Sequence, residues 1–441
     1  MSDPDPRLLQ RCAQRRAELA ARIAQAGGGV AVLATAPELM RNRDADYPYR
    51  HDSYFYYLTG FTEPDAVLVM VAGKSPRSML FCLERDMERE IWDGYRFGPE
   101  GAKGAFLFDE AHPISALEAM LPQLLADQPA VSYPLGQDEK WDARVLSALN
   151  AVRAQGRSGI SAPAEIRDIR PEIDEMRLFK DECEISLMRR AANIASDAHK
   201  LAMKSARPGM MEYEIEAEFL REFRRRGAQA PSYTPIVAGG GNACILHYVE
   251  NNAALQDGDL LLIDAGCELD GYASDITRTF PVNGRFTPAQ REIYELVLEA
   301  QYAALSEIKP GASWNSPHEA AVRVLAQGLV DLGLCKSSAD AVIESGDYRR
   351  FYMHRTGHWL GLDVHDVGSY KTEGSWRKLE PGMVLTVEPG CYIRPSEDVP
   401  EAYWNIGIRI EDDVHVTEGG HEILSLDTPK SVREIESWMA R

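Results

Sequence analysis

No apolar run in this sequence approaches the roughly 20 residues that a helical membrane span requires, so a membrane protein is not expected. The first residues, with Asp3, Asp5, Glu18 and several arginines, lack the continuous apolar segment of a secretory signal, which predicts a cytoplasmic protein. Seven scattered cysteines (Cys12, Cys82, Cys183, Cys244, Cys267, Cys335 and Cys391) include no C-x-x-C spacing. That excludes a disulfide framework and a thiolate zinc site. Positive charge is also short: 48 Lys and Arg face 68 Asp and Glu, a net charge of -20. Nucleic acid is excluded as a partner, because affinity for a phosphate backbone comes from clustered cations. The run Arg224-Arg225-Arg226 reads as a solvated helix end. What remains, at 45% hydrophobic and 26% charged, is a globular composition, and 441 residues suffice for two domains.

Apolar runs at Val30–Leu33, Ala66–Val71 and Met79–Leu83 predict strands, and Leu8–Ala24 and Ile114–Leu125 predict helices, giving an α/β domain over residues 1–175. Past Pro171 a long amphipathic helix is expected, with Leu178, Ile185, Met188, Ala192, Ala195 and Ala202 at helical spacing. From there residues 176–441 carry an internal repeat. Arg207-Pro208-Gly209 closes the first long helix of one half, and Lys309-Pro310-Gly311 closes its counterpart. Second helices follow at Tyr213–Arg226 and Pro317–Leu332. Capping boxes are expected at Ser316-Pro317-His318-Glu319 and Thr287-Pro288-Ala289-Gln290. The strands then align residue by residue, Gly258–Cys267 against Gly382–Cys391, which places Asp264 opposite Glu388. A second pair, Asp275–Phe280 and Ile406–Glu411, again carries acids. Two helices followed by strands, twice over, predict a pseudo-symmetric α+β domain with its acids meeting at the centre.

An unpaired carboxylate among apolar strand residues must neutralise or find a cation, and four in repeat-related positions are too many for isolated structural roles. Two divalent ions would cancel the four charges. An oxygen-rich site with one imidazole suits manganese, cobalt or zinc. Imidazoles are at hand in Met353–Asp366, where His354, His358 and His365 supply three of the ten histidines of the chain. Gly357 and Gly361 count against a continuous helix there, so the spacing of His354 and His358 is not a helical ligand pair. His247, in Cys244–Asn251, is a weaker signal.

These residues resemble the pita-bread metallopeptidases, over essentially the whole second domain. The resemblance implies Asp264, Asp275, His358, Glu388 and Glu411 as metal ligands, with Asp275 and Glu411 bridging two divalent ions, manganese first and cobalt or zinc as alternatives. It implies substrate-handling and catalytic roles for His247, His354, His365 and Arg409. The expected chemistry is attack by a metal-bridging hydroxide on the scissile carbonyl, with Glu388 as proton acceptor and donor. His365 and His247 would steady the developing oxyanion. Arg409 and Glu411, two apart on one predicted strand, should face the same side.

Within that family, Arg41–Arg50 followed by Phe55–Phe61 resembles the N-terminal domain of aminopeptidase P and of prolidase. Glu90–Gly98 resembles the bacterial aminopeptidase P version, in which a tryptophan, here Trp92, reaches the active site of a neighbouring subunit. The expected function is removal of an N-terminal residue from peptides with proline second, by a homo-oligomer, either dimer or tetramer. Alternatives are an Xaa-Pro dipeptidase and, on the same fold, a binding protein without activity. The presence of all five ligand positions counts against the latter and against a metal-free hydrolase.

Overall fold

The computed structural model describes residues 5–440, which form two compact units that divide between Arg177 and Leu178. No helix among the described residues is long and apolar enough to cross a membrane.

The first unit is an α/β sandwich. Its six-stranded sheet runs Glu110–Pro113, Arg77–Cys82, Val67–Ala72, Gly29–Ala34, Ala130–Tyr133, Glu165–Asp168 in spatial order. Three of these strands match the predicted apolar runs. The other three are four residues long, too short for a periodicity to emerge, and they enter the sheet through parallel pairing. Val30, Val32, Val67, Val69, Phe81 and Val131 pack against Leu121 and Leu125 of the helix Leu117–Leu125 and Leu149 of the helix Glu139–Arg153.

The second unit follows the repeat. The helices Glu182–Ser205 and Glu212–Arg225 of one half answer Pro288–Ser306 and Ser316–Asp331 of the other. Leu260–Asp264 is the middle strand of an antiparallel sheet between Ile236–Gly239 and Thr277–Pro281. Its counterpart Val384–Val387 pairs with Asp412–Thr417, and Gly390–Ile393 pairs with Ile406–Arg409. Helix and sheet faces close over one apolar core that includes Phe219, Ile263, Ile276, Val297, Leu325, Leu385 and Ile408.

Three local expectations are corrected. The long helix beyond Pro171 is interrupted: Arg170–Leu178 stops, and a new helix starts at Glu182 under the side chain of Asp181, which completes a capping box with Glu184. A polar cap three residues before an acid outweighed the continuing apolar period. Thr287 and Gln290 form their capping box, but Ser316 does not, since Asn315 occupies the N-cap in helical conformation without a side-chain cap bond. Of the four acids only Asp264 lies inside a strand, whereas Asp275, Glu388 and Glu411 flank strands. Arg409 and Glu411 therefore do not share a strand, because that strand ends at Arg409.

A buried ion pair locks the two halves together. Arg278, from the strand Thr277–Pro281, donates through Nη2 to Asp412 Oδ1 at 2.7 Å with both side chains fully buried. Lys430 Nζ at 2.6 Å, Gln301 Nε2 at 3.1 Å and Ser425 Oγ at 2.7 Å complete the shell of Asp412. Burial alone would raise this carboxyl, but Arg278 and Lys430 outweigh it and hold Asp412 below the ordinary range. Removing one partner strands a buried charge, so Asp412→Ala should lower unfolding free energy by ~3–5 kcal/mol in denaturant titration. Because the folded pKa is depressed, this contribution is intact above the unfolded value of 3.8 and is lost as pH falls below it. The stability gap between parent and variant should therefore narrow in acid.

Candidate metal centre

Two glycines permit the close approaches from which the site is built. At Gly266 a Cβ would lie 1.7 Å from the Ser274 carbonyl oxygen, so the chain segments carrying Asp264 and Asp275 can touch only there without a side chain. At Gly357 a Cβ would lie 2.1 Å from the Thr386 carbonyl oxygen, which is how the irregular histidine segment comes against the strand leading to Glu388. Two hydrogen bonds then fix it, His358 N–H to Thr386 Oγ1 at 3.1 Å and Glu388 N–H to the Thr356 carbonyl at 2.9 Å.

The result is a cavity of about 580 Å³ in the second unit. It is lined by Asp264, Asp275, His358, Glu388 and Glu411, the five expected ligands, and by His247, His354, His365 and Arg409. Trp92 stands on the first unit, 83% exposed on the helix Met87–Asp93, none of whose residues is fully buried.

The acids lie near one another with little positive charge to separate them. One ligand atom each of Asp275, His358 and Glu411 falls within 4.8 Å of the others. His358 Nε2 is 3.4 Å from Asp275 Oδ2 and 3.7 Å from Glu388 Oε1. Burial would lower His358, but these two carboxylates outweigh it and push the imidazole up to about 9. Arg409 Nη2 donates to Asp264 Oδ2 at 2.6 Å. Burial and the neighbouring acids push Glu388 up to about 7, against His358 and Arg409, and raise Asp275 and Glu411 as well. Such a cluster must take up protons or hold cations. Four carboxylates and one imidazole, its Nδ1 occupied by the Trp359 carbonyl at 2.9 Å and its Nε2 turned to the acids, are a donor set suited to hard or borderline divalent ions. The residues present fit a metal.

His354 and His365 are held toward the neutral form. A donor chain runs from Arg409 Nη1 to the Tyr392 hydroxyl at 3.0 Å, on to His354 Nε2 at 2.8 Å, and from His354 Nδ1 to the Arg355 carbonyl at 2.7 Å. Only the tautomer with its proton on Nδ1 satisfies every link, and burial with Arg409 nearby lowers His354 to about 3. His365 stacks edge-on to His358 at 4.2 Å, and burial with His358 lowers it. His247 is exposed at the rim.

The sequence reading missed three contributors. The Tyr233 hydroxyl sits 2.5 Å from both Asp264 Oδ1 and Asp275 Oδ1, so one proton serves two acids. Burial and those acids raise its pKa well above the ordinary value. Thr277 donates to Glu411 Oε2 at 2.6 Å and accepts from Arg409 Nε at 3.2 Å, while Tyr392 relays Arg409 to His354. Tyr233 lies between two prolines with no periodicity to mark it. Thr277 and Tyr392 look like ordinary strand residues.

Comparison with known proteins points to one family. Residues 186–418 match the sequence model of metallopeptidase family M24, and residues 12–133 match that of the aminopeptidase P N-terminal domain. An Xaa-Pro aminopeptidase of Escherichia coli is 49% identical over 414 residues, which cover 93% of this chain and 94% of that protein. An aminopeptidase of Pseudomonas aeruginosa superposes with a TM-score of 0.95 at 50% identity, covering 98% of both chains. A zinc-substituted aminopeptidase P of Escherichia coli in complex with product gives 0.95 at 48% identity, again over 98% of each. With both domain models matched in order and half the residues identical to these relatives, the chain belongs to metallopeptidase family M24, in its aminopeptidase P branch.

Proposed function

We propose that the chain removes the N-terminal residue from peptides whose second residue is proline, as a metallo-aminopeptidase with two divalent cations. The observation that carries this reading is the convergence of four mutually repelling carboxylates and one imidazole in a single cavity. Asp264, Asp275, His358, Glu388 and Glu411 would hold the ions, with manganese first and cobalt or zinc as alternatives. The names of the relatives support the substrate class. The division of labour proposed is a catalytic domain over residues 176–441 and an aminopeptidase P N-terminal domain over 1–175. Assembly is as a homo-oligomer in the cytoplasm, the exposed Trp92 serving the substrate site of a neighbouring subunit.

When bound, the cations would supply Lewis acidity, polarising the attacking water and the scissile carbonyl. The side chains supply the rest. Glu388 takes a proton from the water and returns it to the proline nitrogen as the C–N bond breaks. His247 and His365 donate to the carbonyl oxygen as charge builds on it. Arg409, held by Asp264, Tyr392 and Thr277, steadies the acids.

Proline requires a site that does not grip its backbone as a strand, since the Xaa-Pro bond carries no N–H and the ring fixes φ. Ile236, Leu246, Val249, Trp314, Val364 and Tyr370 give the cavity an apolar wall for the ring. Neither arginine at the cavity is free to clamp a proline carboxylate: Arg409 is committed to Asp264, and Arg355 donates to Asn315 and lies over Trp376. This favours substrates that continue past proline over Xaa-Pro dipeptides.

Three outcomes are expected. Chelation should abolish hydrolysis and added manganese or cobalt should restore it, whereas full activity in protein shown by elemental analysis to be metal-free would refute the mechanism. Glu388→Ala should lose turnover together with metal, while His365→Ala should lose on the order of 100-fold in kcat and keep its metal; the opposite pattern of metal loss would reverse the assignments. Xaa-Pro tripeptides should exceed the matched dipeptides in kcat/KM, and a strong dipeptide preference would make the enzyme a prolidase with the same centre.

A further inference from the structure

We infer that Glu212 is a positioning residue for His247, an inference that rests on the role assigned above to that imidazole. His247 lies on an irregular stretch between exposed Ile245 and Val249, and among the described residues no hydrogen bond reaches its ring. Something else must hold it at the cavity rim. The next residue, Tyr248, is buried, and its hydroxyl donates to Glu212 Oε2 at 2.8 Å.

Glu212 does more than receive Tyr248. Its Oε2 also accepts the Ala253 N–H at 2.8 Å, and its Oε1 accepts the Gly239 N–H at 2.8 Å and Asn242 Nδ2 at 3.0 Å. The carboxylate is fully buried, and its four donors are all neutral. Those donors span Gly239 to Ala253, the segment in whose middle His247 sits. Backbone pairing adds to the clamp, with Glu212 N–H donating to the Ala253 carbonyl at 2.9 Å and Met211 bridging Ala254. One helical turn on, Glu216 accepts Asn251 Nδ2 at 3.0 Å.

A buried anion without a counter-ion is costly unless its lone pairs are filled, and here two oxygens accept two donors each. Its place in the first turn of the helix Glu212–Arg225 adds the favourable end of the helix dipole. Neither oxygen can be spared. A glutamine would turn an NH2 group toward two donors, and an alanine would leave all four without an acceptor. The segment would then loosen while the metal ligands, carried on other elements, stay in place.

The test is a double-mutant cycle with Glu212→Gln and His247→Ala, read as kcat on an Xaa-Pro tripeptide, together with manganese content. Amide hydrogen exchange over residues 239–253 in metal-free protein gives a readout independent of turnover. Glu212→Gln should lower kcat by roughly 10- to 100-fold with full metal content and faster exchange in that segment. The double variant should match His247→Ala within a factor of about 2, because Glu212 acts through His247. A double variant that loses the product of both effects, or Glu212→Gln with parental kcat, overturns the inference alone. Parental kcat in His247→Ala instead removes the role of His247, and this inference with it. If Glu212→Gln does not fold, Tyr248→Phe deletes one donor and keeps the ring. It should move kcat and exchange in the same direction to a smaller extent, and parental values in it count against the inference.

Discussion

Mutual repulsion among four carboxylates is the constraint around which the second unit is organised. Asp264, Asp275, Glu388 and Glu411 come from both halves of the repeat, and burial raises three of them. Bringing such groups together is costly unless protons or cations offset their charge. A second charged cluster lies immediately behind the site. Arg278 and Asp412, each a close neighbour in sequence of a site acid, form a fully buried ion pair that ties the halves together. Arg278 also donates to the carbonyls of Thr277 and Glu411, so the same guanidinium that balances Asp412 fixes the backbone beneath the acids.

Charge around the cavity is sorted by position. His358, facing Asp275 and Glu388, is drawn toward the cationic form, whereas His354 and His365 are kept neutral by burial and by nearby positive charge. Neighbouring imidazoles of one segment are thus suited to different tasks, one to sit among anions and the others to serve as neutral hydrogen-bonding groups. The sorting depends on geometry more than on residue type. His354 lies along the chain from Arg409 through Tyr392, which dictates its tautomer, while His358 has its Nδ1 taken by a carbonyl and its Nε2 left to the acids.

The sequence carried the repeat because Pro-Gly stops and acids recur at matched places, and those signals are local. Asp264 and Glu388 could be aligned without knowing where either points, and the cluster His354–His365 was visible as density of one residue type. Half of the first sheet was not visible in this way: four-residue strands such as Ala130–Tyr133 owe their existence to parallel partners distant in sequence. The helix break before Glu182 was legible in principle, since Asp181 and Glu184 spell a capping box, but the apolar period continued across it.

What the sequence by itself determined was residue chemistry and order: an acidic two-domain chain, two halves of matching punctuation, and acids too numerous to be left without cations. Tertiary structure alone decided which groups share a proton or a charge. Tyr233 joins Asp264 to Asp275 across 31 and 42 residues of chain, and Arg409 meets Asp264 across 145. No periodicity encodes such pairs. They exist because Gly266 and Gly357 let backbone press against backbone, and because a hydrogen bond depends on distances that only the folded chain supplies.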